Sequence, residues 1–280
     1  MTKVVEQAQA QWGSTPCGTG DYLNNGKKVG GDDVGVDLSF FEDVRNNRFV
    51  VDEVWMRRDI DFSMAAGKKL LEIGHGIGSD LVEFAEHGAI VHGVDVTQEH
   101  HELAKQNFRL RNLVVDLKLA DAKHLGYPDD TFDVVYSKGV LHHIEDTDAV
   151  VAEIYRVLKP GGVAVISMYH TFSAFHFYKI FFDGILKRQL FKLGYRGVMA
   201  TLEHGADGVH LKPLVKTYTR LGLKRLLKRH GLKVERILVS HYRHGHWHYL
   251  CEKILPTALA PYMERFLGWY VTAWARKPER

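Results

Sequence analysis

From residue 70 onward the chain switches between two kinds of apolar pattern. LLEIG (70–74) is a short continuous apolar run closed by glycine. SDLVEFAEHG (79–88) spaces its apolar residues along one helix face and stops at Gly88. The pair repeats. AIVHGVDV (89–96) reads as a strand, and TQEHHELAKQNFRLRN (97–112) as a helix with Thr97 at its N-cap. VVDLKLADA (114–122) and FDVVYSKG (132–139) read as strands three and four. DTDAVVAEIYRVL (146–158) reads as a helix closed by KPGG (159–162), and VAVISMY (163–169) as strand five. Strands alternating with helices predict an α/β fold with a doubly wound, Rossmann-like parallel sheet. Such sheets take ligands at the carboxyl ends of their strands, beside the topological switch point.

The flanks differ. Residues 1–35 are rich in Gly, Asp, Asn and Lys and read as loop, whereas 38–64 is helical in pattern. SAFHFYKIFFDGILKRQLFKLGY (173–195) is a long aromatic, amphipathic helical stretch, and YTRLGLKRLLKRHG (218–231) a basic amphipathic helix ended by Gly231. LKVERILVSHY (232–242) gives a sixth strand and LGWYVTAWARK (267–277) a seventh. The expected organisation is a lid or cap segment over 1–65, a ligand-binding core over 66–170, a cap insertion and helix over 171–230, and C-terminal strands over 231–280 that complete the sheet.

Charge narrows the partners. Thirty-seven basic residues stand against 34 acidic ones, a net charge of +3. That balance argues against a protein that neutralises many phosphates of a nucleic acid. The N-terminal MTKVVEQAQAQWGS lacks the apolar core of a secretory signal, and no run of 18 or more apolar residues is present. Cys17 and Cys251 form no metal-ligand or CxxC pattern. The expectation is a cytoplasmic protein with reduced thiols.

The chemistry starts at LLEIGHGIGSD (70–80). A dinucleotide fingerprint, G-x-G-x-x-G, aligned on Gly74 and Gly76 puts Ser79 where its third glycine belongs; the spacing here is G-x-G-x-G. Asp95 ends the second strand, where a carboxylate can accept both hydroxyls of a ribose. Asp121 follows the third strand, within reach of an adenine amine. Together they describe an adenosine site with no evident phosphate partner, leaving the amides of the glycine turn for an amino-acid portion.

At these residues the chain resembles the class I S-adenosylmethionine-dependent methyltransferases over roughly 66–170. LEIGHGIGSD is similar to their first motif, VHGVDV to the acidic second-strand motif, and LADA to the adenine motif. FDVVYSKGVLHHIED is similar to the fourth-strand motif and YRVLKPGG to the turn before strand five. More narrowly it resembles the small-molecule subgroup that includes ubiquinone, menaquinone and natural-product methyltransferases. The resemblance implies a seven-stranded sheet with an antiparallel last strand and S-adenosyl-L-methionine as cofactor. It also implies that Gly74, Gly76 and Gly78 approach the methionine part and ribose, that Glu72 supports the turn or meets the methionyl amine, and that Asp95 takes the ribose hydroxyls. Val96 would lie on the adenine face, Asp121 and Ala122 would read the adenine, and Ser137, Lys138 and Gly139 would line the methionine pocket. His75 departs from the family, which has a small residue there, and reads as an unusual wall of that pocket.

Methyl transfer needs the acceptor on the S–C axis, and a base where the acceptor carries a proton. His142 and His143, just past strand four, are the base candidates, against a bland packing role for one of them. Tyr169 and His170, leaving strand five, are candidates for substrate contact. His244, His246 and His248 share a strand face, but no carboxylate or thiol accompanies them at useful spacing and no metal is expected. The 173–195 stretch reads as a cap over an apolar pocket, with a peripheral membrane contact through its basic face or an oligomer contact as alternatives. The expected activity is methyl transfer to a small apolar or aromatic acceptor, oxygen first and carbon second. The alternatives are a sulfur or nitrogen acceptor, or a protein that binds the cofactor without catalysis.

Overall fold

All seven expected strands form: β1 (Lys69–Ile73), β2 (Ile90–Asp95), β3 (Asp116–Leu119), β4 (Phe132–Lys138), β5 (Leu158–Tyr169), β6 (Lys233–Ser240) and β7 (Tyr270–Arg276). The computed structural model describes residues 36–201, 214–242 and 259–279. Cys17, Cys251, His244, His246 and His248 lie outside them. The strands make one sheet in the order β3-β2-β1-β4-β5-β7-β6. Neighbours from β3 through β5 pair in parallel, and β7 runs antiparallel to both β5 and β6. The order reverses between β1 and β4, so the carboxyl ends of β1, β2 and β4 border one crevice.

Side-chain alternation builds both faces. Leu71 and Val135 point into a core under the helices 147–157 and 220–229, whereas Leu70 and Val134 point into a second core that includes Leu81, Phe84 and Trp55. Covering on both faces is why these strands read as nearly unbroken apolar runs. Glu72 falls on the second face, in register with Tyr136 of β4 and Gly93 of β2.

Among the described residues the helices are α1 (Leu38–Asn46), α2 (Trp55–Asp59), α3 (Ser79–Glu86), α4 (Gln98–Leu110), α5 (Thr147–Val157), α6 (Ala174–Lys179), α7 (Gln189–Ala200), α8 (Arg220–Arg229) and α9 (Ala260–Leu267). Three expectations change in detail. The 38–64 stretch is not one helix: it widens into π-type turns at 47–52 and ends in a 3₁₀ turn at 62–65. The 173–195 stretch is a bent hairpin. α6 passes into wide turns over 180–186, Arg188 takes a left-handed φ of 57°, and α7 is kinked at Gly194. Strand five begins earlier than its apolar run, because Leu158 already pairs with Phe132 before the register shifts. Thr97 does sit at the N-cap of α4, but its side chain makes no cap bond; Asp95 accepts the Thr97 amide instead. Among the described residues, no helix is long and apolar enough to cross a membrane.

Candidate functional site

The turn after β1 is built on left-handed backbone. Gly74, Gly76 and Gly78 have φ of 75°, 52° and 82°, a region open to glycine at little cost. A Cβ on Gly74 would lie 2.2 Å from Val140 Cγ2, so the turn also fits against the loop that follows β4. The Gly74 amide donates to Val94 O (2.7 Å), and Gly78 caps α3. His75 folds its ring back, with Nδ1 2.7 Å from Gly76 O, into space left by a glycine on the neighbouring strand: a Cβ on Gly93 would come within 2.9 Å of the ring.

Asp95 ties this turn to β2. One carboxylate oxygen accepts the Gly76 amide (3.0 Å) and lies 3.4 Å from His100 Nδ1, while the other accepts the Thr97 amide (2.9 Å). Burial opposes its charge, yet the His100 ring and the Thr97 amide hold the carboxyl below the usual carboxylate range. Beyond it Val96 joins the wall. Asp121 is fixed by the Lys123 amide (3.0 Å), with Ala122 beside it.

A cavity of roughly 420 Å³ opens over these groups, within the usual range for small-molecule sites. Glu72, Gly74, His75, Gly76, Asp95, Val96, Asp121, Ala122, Lys138 and Gly139 line it. His143, Tyr169 and Tyr270 line it as well. Four expected residues lie off its walls. Gly78 packs against Phe108 and Ala104. Ser137 is buried and donates to Ile73 O (2.9 Å), bracing β4 on β1. His142 is fully buried with its ring centroid 3.7 Å from that of Tyr169, and burial, then His143, push its pKa well down. His170 Nδ1 donates to Gly268 O (3.2 Å), and burial brings that ring down to about 4. Of the histidine pair, only His143 reaches the cavity. Its Nδ1 donates to Leu214 O (2.8 Å), which makes Nε2 the basic nitrogen of the neutral ring.

Lys138 has a partner the sequence did not announce. Its ammonium sits 2.6 Å from both carboxylate oxygens of Glu53 and 4.7 Å from the Tyr270 ring centre. Arg48 pairs with Asp80 (2.7 and 2.9 Å) and lies 3.4 Å from Glu53, and Tyr136 donates to Asp80 (3.0 Å). Burial would raise the Glu53 pKa, but Lys138 and Arg48 bring it to about 2. Glu72 is the opposite case. Burial and then the neighbouring Asp80 push it well above the usual range, and its Oε2 has no hydrogen-bond partner in the structure. Arg48, Glu53 and Asp80 line the cavity without having been singled out from the sequence. Two of them sit in an N-terminal stretch whose only readable signal was helical periodicity. Among the described residues, no group of three or more His, Cys, Asp or Glu side chains is arranged to hold a metal.

An adenosine-bearing amino-acid cofactor fits this cavity. Gly76 and Gly139 have nothing within 4 Å of where a Cβ would stand, so bare backbone faces open space on its wall. The unpartnered Glu72 Oε2, on the same wall, suits an ammonium.

Comparison with known proteins agrees. A family model described as a methyltransferase domain matches residues 71–166. The methyltransferase GfsG of Streptomyces halstedii is 36% identical over 121 residues, covering 42% of this chain and 42% of that one. The chain thus spans less than half the length of this relative. Among solved structures, the [4+2]-cyclase SpnF aligns over 99% of this chain and 97% of its own, with a TM-score of 0.59 at 20% identity. Phosphoethanolamine N-methyltransferase 2 of Haemonchus contortus, in complex with S-adenosyl-L-methionine, covers 81% of this chain and 52% of its own, with a TM-score of 0.51 at 22% identity. At these identities the structural likeness establishes the seven-stranded fold.

Proposed function

From the class I S-adenosylmethionine-dependent methyltransferase domain that this chain carries, we propose that it transfers a methyl group from S-adenosyl-L-methionine to a small molecule. The observation that carries the reading is that one cavity is lined both by Asp95 and Asp121 and by His143, Tyr169 and Tyr270. The two carboxylates suit an adenosine, and the histidine with the two tyrosines suits a methyl acceptor.

When bound, the cofactor supplies a methyl group activated by a sulfonium. The chain's own residues do the rest. Asp95, held by two backbone amides, offers its remaining lone pairs to ribose hydroxyls, and Asp121 and Ala122 face the adenine. Glu72 receives the ammonium of the amino-acid portion, and the open backbone of Gly76 and Gly139 permits close approach. Tyr169 and Tyr270 wall the acceptor, which positions it for in-line attack. His143 takes the acceptor's proton at Nε2. A base matters for a hydroxyl, so oxygen is the first acceptor and carbon the second; relatives 36% identical over 104 and 98 residues are a phosphoethanolamine N-methyltransferase and a sterol 4-C-methyltransferase. Lys138 shapes the cavity through its pair with Glu53 rather than by holding the cofactor's amino-acid part.

The fold alone does not fix the reaction, since a [4+2]-cyclase shares it. The test is to incubate the purified protein with methyl-labelled S-adenosylmethionine and a small-molecule extract. Label appearing in a product together with S-adenosylhomocysteine supports transfer. Tight cofactor binding with neither product would leave a cofactor-binding protein that does not methylate.

A further inference from the structure

The hairpin made by 174–200 carries an apolar surface that the other described residues do not cover. Phe177, Phe181 and Ile185 are spaced by four, and the wide turns over 180–186 keep residues at that spacing nearly in line. All three are about half exposed, at 52, 50 and 47%. At the tip, around the left-handed Arg188, Leu186 is 58% exposed and Phe191 79%. A soluble chain rarely leaves so many large side chains in water on one element.

The charge on the same element is one-sided. Lys179, Lys187, Arg188, Lys192 and Arg196 stand against one carboxylate, Asp183, whose oxygens lie 2.7 Å from the ammonium groups of Lys179 and Lys187. Lys187 is two-thirds exposed, and Arg188, Lys192 and Arg196 are exposed beside it. Against a second copy of itself, such a face would bring like charges together, which disfavours a symmetric contact. An anionic lipid surface meets both halves of the pattern, because aromatic side chains enter the interface and cations meet the headgroups.

We propose that the 174–200 hairpin is a peripheral docking element for an anionic bilayer. Its aromatic tip inserts at the headgroup boundary while Lys187, Arg188 and Lys192 lie on the lipid phosphates. The hairpin follows directly on Tyr169, a wall of the cavity, so docking sets the cavity close to the lipid.

The test is sedimentation of the full chain with vesicles of phosphatidylcholine alone, and of phosphatidylcholine and phosphatidylglycerol in equal parts. The protein should pellet with the mixed vesicles, not with phosphatidylcholine, and added salt should release it. Phe181→Asp with Phe191→Asp should lower partitioning tenfold or more. Lys187→Glu with Lys192→Glu should lower it by about fivefold per charge removed. Calorimetric titration with S-adenosylhomocysteine should give wild-type affinity in both variants, which reports an intact core. No pelleting, or pelleting that neither variant reduces, overturns the proposal. Self-association by sedimentation velocity that the Phe variants abolish, without vesicle binding, would assign the face to a second copy. None of these readouts depends on methyl transfer.

Discussion

Asp95→Asn separates two jobs that one carboxylate performs. In the structure Oδ2 accepts the Gly76 amide at 3.0 Å and Oδ1 the Thr97 amide at 2.9 Å, with His100 beside it. Asn keeps one acceptor for one amide and turns a donor toward the other site. It also removes the charge that strengthens hydrogen bonds to ribose hydroxyls. Bonds to charged groups contribute about 1.5–3 kcal/mol each. With one oxygen retained and rearranged, the loss in cofactor binding comes to about 2–3 kcal/mol, or roughly 30- to 150-fold in Kd. The assay is isothermal titration with S-adenosylhomocysteine, with a thermal melt of the same sample to report the turn. Asp95→Ala, which loses both amide acceptors as well, should melt lower than Asp95→Asn. A Kd for Asp95→Asn within about threefold of wild type would refute the adenosine-site assignment, because a carboxylate that only holds backbone has no effect on the ligand.

Gly74→Ala should cost about 2–5 kcal/mol of stability in urea unfolding, from a left-handed alanine and a Cβ driven into Val140. Adding Val140→Ala should return the steric part and leave the backbone part; no rescue would contradict that contact. Burial and the neighbouring Asp80 raise the Glu72 carboxyl well above the ordinary carboxylate range, and an arriving ammonium favours its ionised form. Cofactor binding should therefore release a proton, and affinity should rise with pH; titration in buffers of different ionisation heat should show this for wild type and not for Glu72→Gln. With an acceptor in hand, His143→Asn should lower kcat by about 10²–10⁴-fold at unchanged cofactor affinity, whereas His142→Phe should leave the pH profile of kcat in place. Wild-type turnover in His143→Asn would remove the base assignment. Lys138→Met should destabilise by about 1–3 kcal/mol, because Glu53 loses the nearer of its two cations and keeps Arg48 at 3.4 Å, and Glu53→Gln beside it should recover much of that, as read by chemical denaturation.

The α/β plan was legible because its determinants are local. Apolar runs of strand length, glycine stops and helical spacing recur in chain order between 70 and 169, and parallel pairing then follows because each intervening helix returns the chain to the edge where the last strand began. The cavity residues proposed for the adenosine were legible for the same reason: Gly74, Gly76, Asp95 and Asp121 all sit at or just past strand ends, where the fold class already puts ligands. What the sequence could not decide were matters of contact across long separations. Adjacent in sequence and with ring centroids 4.2 Å apart, His142 and His143 still meet different surroundings, since a 3₁₀ turn buries the first ring on Tyr169 and sets the second on the cavity wall. His75 is accommodated because Gly93, on another strand, has no side chain. Lys138 joins β4 to the N-terminal segment through Glu53, and Arg48 reaches Asp80 from a stretch whose pattern showed only a helix. Periodicity reports which face of an element is buried; it is blind to which charge will meet which. Those pairings exist only after the N-terminal segment packs on the sheet, where burial makes an unpaired charge too costly to leave.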